Sequence, residues 1–143
     1  MGDATERDTP RLRPELPACL LDAMKIALHI VQIIIALGIL NVWLLRFGKQ
    51  SEWRGGDSRN MTEEFKAYGL PSWFMFTVGA AKVALACLLI ASVWFPMLKN
   101  PAAIGLALLM VGAVMMHLKV KDPIKKSVPA MSALFLCVVV AAL

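Results

Sequence analysis

The sequence LPSWFMFTVGAAKVALACLLIASVWF, residues 70–95, decides how this chain folds. About 20 consecutive apolar residues are enough for a helix to span a bilayer, and this segment is longer. Its one charged residue, Lys82, lies near the middle. A charge at that depth is costly unless it is paired or neutralised, so ionisable residues inside spanning segments usually serve a function. The segment therefore predicts a spanning helix that carries a functional lysine.

The composition of the whole chain is typical of a membrane protein. The 143 residues are 59% hydrophobic and 17% charged, with a mean hydropathy of +0.67, whereas a soluble domain has about a quarter of its residues charged. Four apolar runs fill most of the chain, at about residues 23–46, 70–95, 102–118 and 124–143. We predict an all-α fold, an antiparallel four-helix transmembrane bundle, as a single domain at residues 23–143 after a polar tail at residues 1–22.

Loop 1, the polar segment at residues 46–69, predicts a short interfacial helix. Asn60 followed by Glu63 is typical of a helix N-cap with its capping-box partner. We expect a helix at about residues 61–68, lying along the membrane surface. Its aromatic side chains are expected to face lipid and its charged ones to face water: Phe65 and Tyr68 on one side, Glu63, Glu64 and Lys66 on the other.

The distribution of positive charge predicts the orientation. The net charge is +5 and the pI is 9.4, but no nucleic-acid-binding motif is visible, so we expect no nucleic-acid partner. Lys and Arg accumulate in cytoplasmic loops. The side with loop 1 and loop 3 (residues 119–126) carries Arg46, Lys49, Arg54, Arg59, Lys66, Lys119, Lys121, Lys125 and Lys126. The other side carries Arg7, Arg11, Arg13, Lys25 and Lys99. We predict a multi-pass protein of the bacterial inner membrane with loops 1 and 3 in the cytoplasm.

The sequence contains no recognisable catalytic constellation. The three cysteines, Cys19, Cys87 and Cys137, form no CxxC pair and are read as small apolar residues. No paired nucleophile and base, no ligand cluster with metal-binding spacing and no phosphate-binding loop can be identified. We therefore predict no catalytic residue and no metal site, and we do not expect an enzyme.

Polar residues inside the spanning segments form a deep set and a shallow set. At 1.5 Å per helical residue, Lys82 lies roughly 18 Å from the loop 1 side, Gln32 roughly 21 Å and His29 about 25 Å. Lys82 and Gln32 are thus expected at one level. Three functional interpretations stay open: a deprotonated Lys82, contact with water in a cavity, or binding of a polar or anionic ligand such as a quinone oxygen or a lipid headgroup. Snorkelling, or a hydrogen bond to Gln32, would be structural alternatives.

The shallow set consists of Asn41, Thr77 and Ser132, with His117 nearer the surface. Such residues often join helices through hydrogen bonds, so packing competes with binding as their role. Loop 1 supplies charged residues above them. The complete set of candidate ligand-binding residues is Lys82, Gln32, Asn41, Arg54, Glu63, Glu64 and His117.

Two segments resemble the DoxX-like family of small membrane proteins. EEFKAYGLPSWFMFTVGAAKVALACLL, at residues 63–89, is similar to the family's Gly-Leu-Pro turn followed by a glycine and an ionisable residue. IGLALLMVGAVMMHLKVKDPIKKSVPA, at residues 104–130, is similar to its third helix, which ends in Gly-Ala and His before an Asp-Pro turn. The resemblance covers residues 24–143, although many members carry Glu where this chain has Lys82.

The resemblance implies several functions. Some members resemble the membrane subunit of a thiosulfate:quinone oxidoreductase, others associate with a superoxide dismutase and a sulfurtransferase, and distant eukaryotic relatives assist receptor assembly or cargo transport. We expect a non-catalytic subunit that binds a partner protein or a lipid-like or quinone-like ligand near Lys82. A component of a quinone-linked oxidoreductase and a carrier of small solutes or lipids are alternatives. The expected partners are membrane lipids and a membrane or redox protein or a second copy of the chain, with a quinone as the suggested cofactor.

Overall fold

The structure, a computed structural model, describes residues 16–143, and those residues contain helices and connections but no β-strand. The main helices are α1 (Ala18–Leu40), α2 (Met61–Ala67), α3 (Ser72–Ala91), α4 (Lys99–Lys119) and α5 (Ile124–Ala142). A π-helical segment, Asn41–Leu45, continues α1, and a 3-10 turn, Pro96–Leu98, precedes α4. The predicted all-α class is confirmed.

Four segments are long and apolar enough to cross a membrane: Ala18–Leu45, Ser72–Ala91, Pro96–Lys119 and Ile124–Ala142. α1 packs against α3, α3 against α4, α4 against α5, and α5 against α1, so the helices form a closed ring. Their outer faces carry large exposed apolar side chains. A spanning helix satisfies its backbone hydrogen bonds internally, which lets such faces contact lipid. The predicted four-helix transmembrane bundle is therefore confirmed.

Two helix starts lie earlier in the chain than predicted. α1 begins at Ala18 rather than at residue 23, since the N–H groups of Leu20 and Leu21 already donate to the Pro17 carbonyl. The predicted tail is thus helical at its end, and its residues 1–15 lie outside the described residues. α4 begins at Lys99 rather than at residue 102. Pro101 therefore lies in the first turn of α4, where a backbone N–H would have no intrahelical partner and the missing N–H of proline costs no hydrogen bond.

The interfacial helix α2 forms where the capping pattern predicts it. The Asn60 side chain accepts a hydrogen bond from the backbone N–H of Glu63 (2.9 Å). The predicted facing was wrong for Phe65, Tyr68 and Glu64, which are all buried. Glu63 and Lys66 are exposed, as predicted. Loop 1 folds back over the end of the bundle, so α2 packs on protein rather than on lipid, with the Phe65 ring edge-on to Trp43 at 6.2 Å.

The ends of α1 and α3 are offset in height. The rings of Phe47 and Phe76 stack at 6.5 Å, so the end of α1 lies level with the second turn of α3. Gly79 allows this close approach, since an added Cβ would lie 2.5 Å from the Trp43 ring. The first turn of α3 therefore extends beyond α1, and this offset decides which polar residues meet.

Candidate functional site

A cavity of about 620 Å³ lies inside the loop 1 end of the bundle. All four spanning segments, loop 1 and α2 contribute to its walls. Most of the lining is apolar, and five of the seven candidate binding residues belong to it: Lys82, Asn41, Arg54, Glu64 and His117. Two further lining residues, Gly38 and Gly112, face open space, since an added Cβ at either would meet no atom within 4 Å.

Lys82 is a buried cation in the wall of this cavity. Its residue is 9% exposed, and its Nζ lies 5.3 Å from the centroid of the Trp43 ring. Such a cation–π contact compensates part of the cost of removing an ammonium from water. Within residues 16–143, no carboxylate forms a salt bridge with Lys82, and no acceptor receives a hydrogen bond from it. The donor capacity of the ammonium is therefore available to a ligand.

The expected pairing of Lys82 with Gln32 does not occur. The Gln32 Nε2 donates to the Ser92 Oγ (3.0 Å), and Gln32 does not line the cavity. The predicted depths assumed that α1 and α3 end at the same height on the loop 1 side. From the stacked rings of Phe47 and Phe76, six residues back along α1 reach Asn41 and six residues forward along α3 reach Lys82, so Asn41 is the residue level with Lys82.

The shallow set divides in the structure. Asn41 and His117 line the cavity, whereas Thr77 and Ser132 do not, and neither does His29 of the deep set. The Thr77 hydroxyl donates to the Trp73 carbonyl of its own helix (2.9 Å). Glu63 also lies outside the cavity, where its carboxylate accepts from the backbone N–H of Arg59 (2.8 Å) at the start of α2. The capping role of Glu63 thus accounts for its polar contacts.

Arg54 closes the cavity from the loop 1 side. Its side chain is almost fully buried, and its Nε donates to the Lys49 carbonyl (3.0 Å). The guanidinium also donates to the carbonyls of Arg46 and Phe47 and forms a 2.9 Å ion pair with Glu64. Arginine suits this position because its planar fork presents five N–H donors in a fixed geometry. Arg54 therefore joins the end of α1 to α2.

Glu64 is fully engaged by its neighbours. One carboxylate oxygen faces Arg54, and the other accepts from the Gly55 N–H and the Tyr68 hydroxyl, both at 2.9 Å. Burial, with the adjacent carboxylate of Glu64, raises the pKa of the Tyr68 phenol well above its usual value. A side chain at Gly55 would overlap the Tyr68 ring, so glycine is required for this contact.

Asp122 connects loop 3 to loop 1. Its buried carboxylate accepts from the Gly56 N–H (3.0 Å) and lies 2.8 Å from the His117 Nδ1. Lys126 adds a second link, because its ammonium donates to the Gly56 carbonyl and lies 3.8 Å from Asp122. We call these contacts of Gly56 with Asp122 and Lys126 the clasp. They hold loop 1 across the mouth of the cavity.

Three residues of this site were missed by sequence reasoning: Trp43, Tyr68 and Asp122. A tryptophan at the end of a spanning segment is most often an interface anchor, and an aspartate before a helix is most often its cap, so neither residue indicates a site by itself. For Asp122, the nearby His117 and the glycine pair of loop 1 were the available signals. Within the described residues, no group of three His, Cys, Asp or Glu side chains is placed to hold a metal ion.

The helices and the cavity define a small multi-pass integral membrane protein with an internal, mainly apolar cavity. A sequence profile of the DoxX-like family matches residues 30–142, so the chain belongs to the DoxX-like family. The resemblance inferred from the two sequence segments is thereby confirmed. Comparisons with curated proteins and with solved structures found no match.

Proposed function

We propose that this protein is a non-catalytic membrane subunit that binds a lipid-like or quinone-like ligand in the cavity, with the ligand's polar head at Lys82. The observation that carries the proposal is a buried ammonium, facing a cavity of about 620 Å³, that contacts the Trp43 ring but forms no salt bridge with any residue at positions 16–143. Cavities of roughly 300–1,000 Å³ are the usual size for small-molecule sites.

The energetics of Lys82 support a ligand with an oxygen acceptor. A cation inside the membrane is costly, and one contact with Trp43 leaves the N–H donors of the ammonium unused. Hydrogen bonds that involve a charged group contribute about 1.5–3 kcal/mol each. A carbonyl, carboxylate or phosphate oxygen at Lys82 would recover part of the cost of burying the charge, while the apolar walls accommodate a tail.

The other candidate residues have different parts in this proposal. Asn41 lies at the level of Lys82 and offers an amide to the head of the ligand, whereas Arg54 and Glu64 hold the cover of the cavity. His117 acts through Asp122 on the clasp. The remaining candidates, Gln32 and Glu63, contribute to packing and capping and are not assigned to the ligand.

Filling the cavity tests this function. Gly112 lines the cavity, and an added Cβ there meets no atom within 4 Å, so Gly112→Leu is expected to place its side chain in the space of the ligand. We expect native mass spectra in mild detergent to show one bound molecule of a short-chain ubiquinone or of a phospholipid on the unmodified protein. The adduct should be lost in Gly112→Leu and retained in Lys66→Met, whose site is exposed. Absence of any adduct, or equal adducts in both variants, would refute the proposal.

The proposed orientation places loops 1 and 3 in the cytoplasm, where the subunit would meet a membrane or redox protein or a second copy of the chain. The excess of Lys and Arg on this side supports it. A single cysteine introduced at Lys49, in a chain without its native cysteines, should react with a membrane-impermeant thiol reagent only after the cells are opened. Reaction in intact cells would reverse the orientation.

A further inference from the structure

We infer that the ligand is an anionic amphiphile, an apolar chain or ring system with one negatively charged oxygen head group that pairs with the Lys82 ammonium. The inference rests on the proposed ligand-binding function and specifies the charge of the ligand.

The lining of the cavity carries an excess of positive charge. Arg46, Arg54, Lys82 and Lys126 belong to it, whereas its one carboxylate is Glu64. Both oxygens of Glu64 are engaged, one by Arg54 and the other by the Gly55 N–H and the Tyr68 hydroxyl. No lining carboxylate is therefore left for a ligand cation, and an approaching cation would meet repulsion.

The lining cations differ in how far the protein compensates them. Arg54 has Glu64 and three carbonyl groups, and Lys126 has Asp122 and the Gly56 carbonyl. Arg46 is exposed and can be solvated at the membrane surface. Lys82 alone combines burial with the lack of a salt bridge among residues 16–143, because Glu64, the carboxylate that acts on it electrostatically, is paired with Arg54. One negative charge at this position would compensate the positive charge of Lys82.

The surroundings of Lys82 favour an ion pair over a neutral hydrogen bond. A neutral carbonyl accepts one hydrogen bond but leaves the charge uncompensated in a medium of low dielectric constant. An anion compensates the charge itself, and the attraction is stronger there than in water. Ile35, Met110 and Leu136 belong to the apolar wall, and Gly112 leaves room beside them, so the tail has a place to lie.

Probes of one chain length and different charge test the inference. We would measure binding of tetradecanesulfonate, tetradecanol and tetradecyltrimethylammonium to the full-length protein in lipid nanodiscs. The anion is expected to bind roughly tenfold more tightly than the alcohol, and the cation more weakly than either. Tetradecanoate and tetradecyl phosphate then separate a fatty-acid-like head from a phospholipid-like head, and preference for either agrees with the inference.

Variants at Lys82 locate the charge preference. Lys82→Met should reduce the preference for the anion to about twofold or less, whereas Lys82→Arg and the surface control Lys66→Met should retain it. If Lys82→Met does not fold, binding of the three probes to the unmodified protein and to Lys82→Arg still measures the preference for the anion. Equal binding of anion and alcohol, or a preference unchanged in Lys82→Met, would overturn the inference and leave the binding function intact. Failure of all probes to bind would instead refute the proposed function.

Discussion

Arg54→Met removes the cation that joins loop 1 to α2 and should strongly destabilise the cover of the cavity. Methionine keeps an apolar stem of similar length, so the change concerns mainly the guanidinium. The Arg54–Glu64 pair is buried, with side chains 6% and 11% exposed and an N–O distance of 2.9 Å. Without Arg54, the Glu64 carboxylate stays buried with no cation beside it.

The burial of this pair sets the expected loss in the free energy of unfolding. Removing one partner of a buried ion pair costs about 3–5 kcal/mol, whereas an exposed pair contributes about 0–1 kcal/mol. Glu64 still accepts from the Gly55 N–H and the Tyr68 hydroxyl, so we expect the lower end, about 3 kcal/mol. Denaturant titration of the detergent-solubilised protein, followed by tryptophan fluorescence, measures the free energy of unfolding.

Arg59→Met provides the matched control, because Arg59 belongs to the same loop and is exposed. Its effect should stay within about 0.5 kcal/mol. The double variant Arg54→Met with Glu64→Gln should be less destabilised than the sum of its single changes, because no unpaired charge remains. Equal stability of Arg54→Met and Arg59→Met would refute the assignment of a buried, stabilising pair.

Further predictions concern glycine, tyrosine and the polar pair between α1 and α3. Gly55→Ala should cost about 1–3 kcal/mol by overlap with the Tyr68 ring, and Gly48→Ala, in open space, about 0.5 kcal/mol or less in the same titration. The pKa of Tyr68 is raised in the folded state, so the protonated phenol contributes fully to stability below about pH 10. This contribution declines at higher pH, because the phenol ionises in the unfolded chain before it ionises in the folded one. Tyr68→Phe should remove that part of the alkaline loss, and an unchanged profile would contradict the assignment. Ser92→Ala should cost about 1–3 kcal/mol by leaving the buried Gln32 amide unpaired, whereas Gln32→Leu should be nearly neutral; the reverse order of stabilities would contradict the bonding described.

The parts of the fold that depend on local sequence were predictable. Long apolar runs define the spanning helices because the bilayer fixes their length and composition. The start of α2 was predictable because the hydrogen bond from the Glu63 N–H to the Asn60 side chain joins residues only three positions apart. Family membership likewise followed from short segments, around Lys82 and around the Asp122–Pro123 turn.

Contacts between distant segments were not predictable from the same patterns. The offset of α1 and α3 depends on how Phe47 meets Phe76, and counting residues along each helix gives no information about it. The sequence of α2 allows either of its faces to be buried, and the partner of Glu64 lies in a loop with no regular period. Lys82, Asn41 and His117 nevertheless reach the cavity, because polar side chains in apolar helices tend to gather away from lipid. Arg54 and Glu64 reach it because loop 1 and α2 fold back over this end of the bundle.

The clasp has a consequence for the order in which the parts of the protein assemble during synthesis. Gly56 is held by a carboxylate 66 positions later in the chain, beyond the third spanning segment. Until Asp122 has been synthesised, loop 1 cannot form this contact, so the clasp can form only after the first three spanning segments have been made. The walls of the cavity also include α4 and α5, so the binding space and its cover are completed in the same step of assembly, when the last two helices pack against the first two.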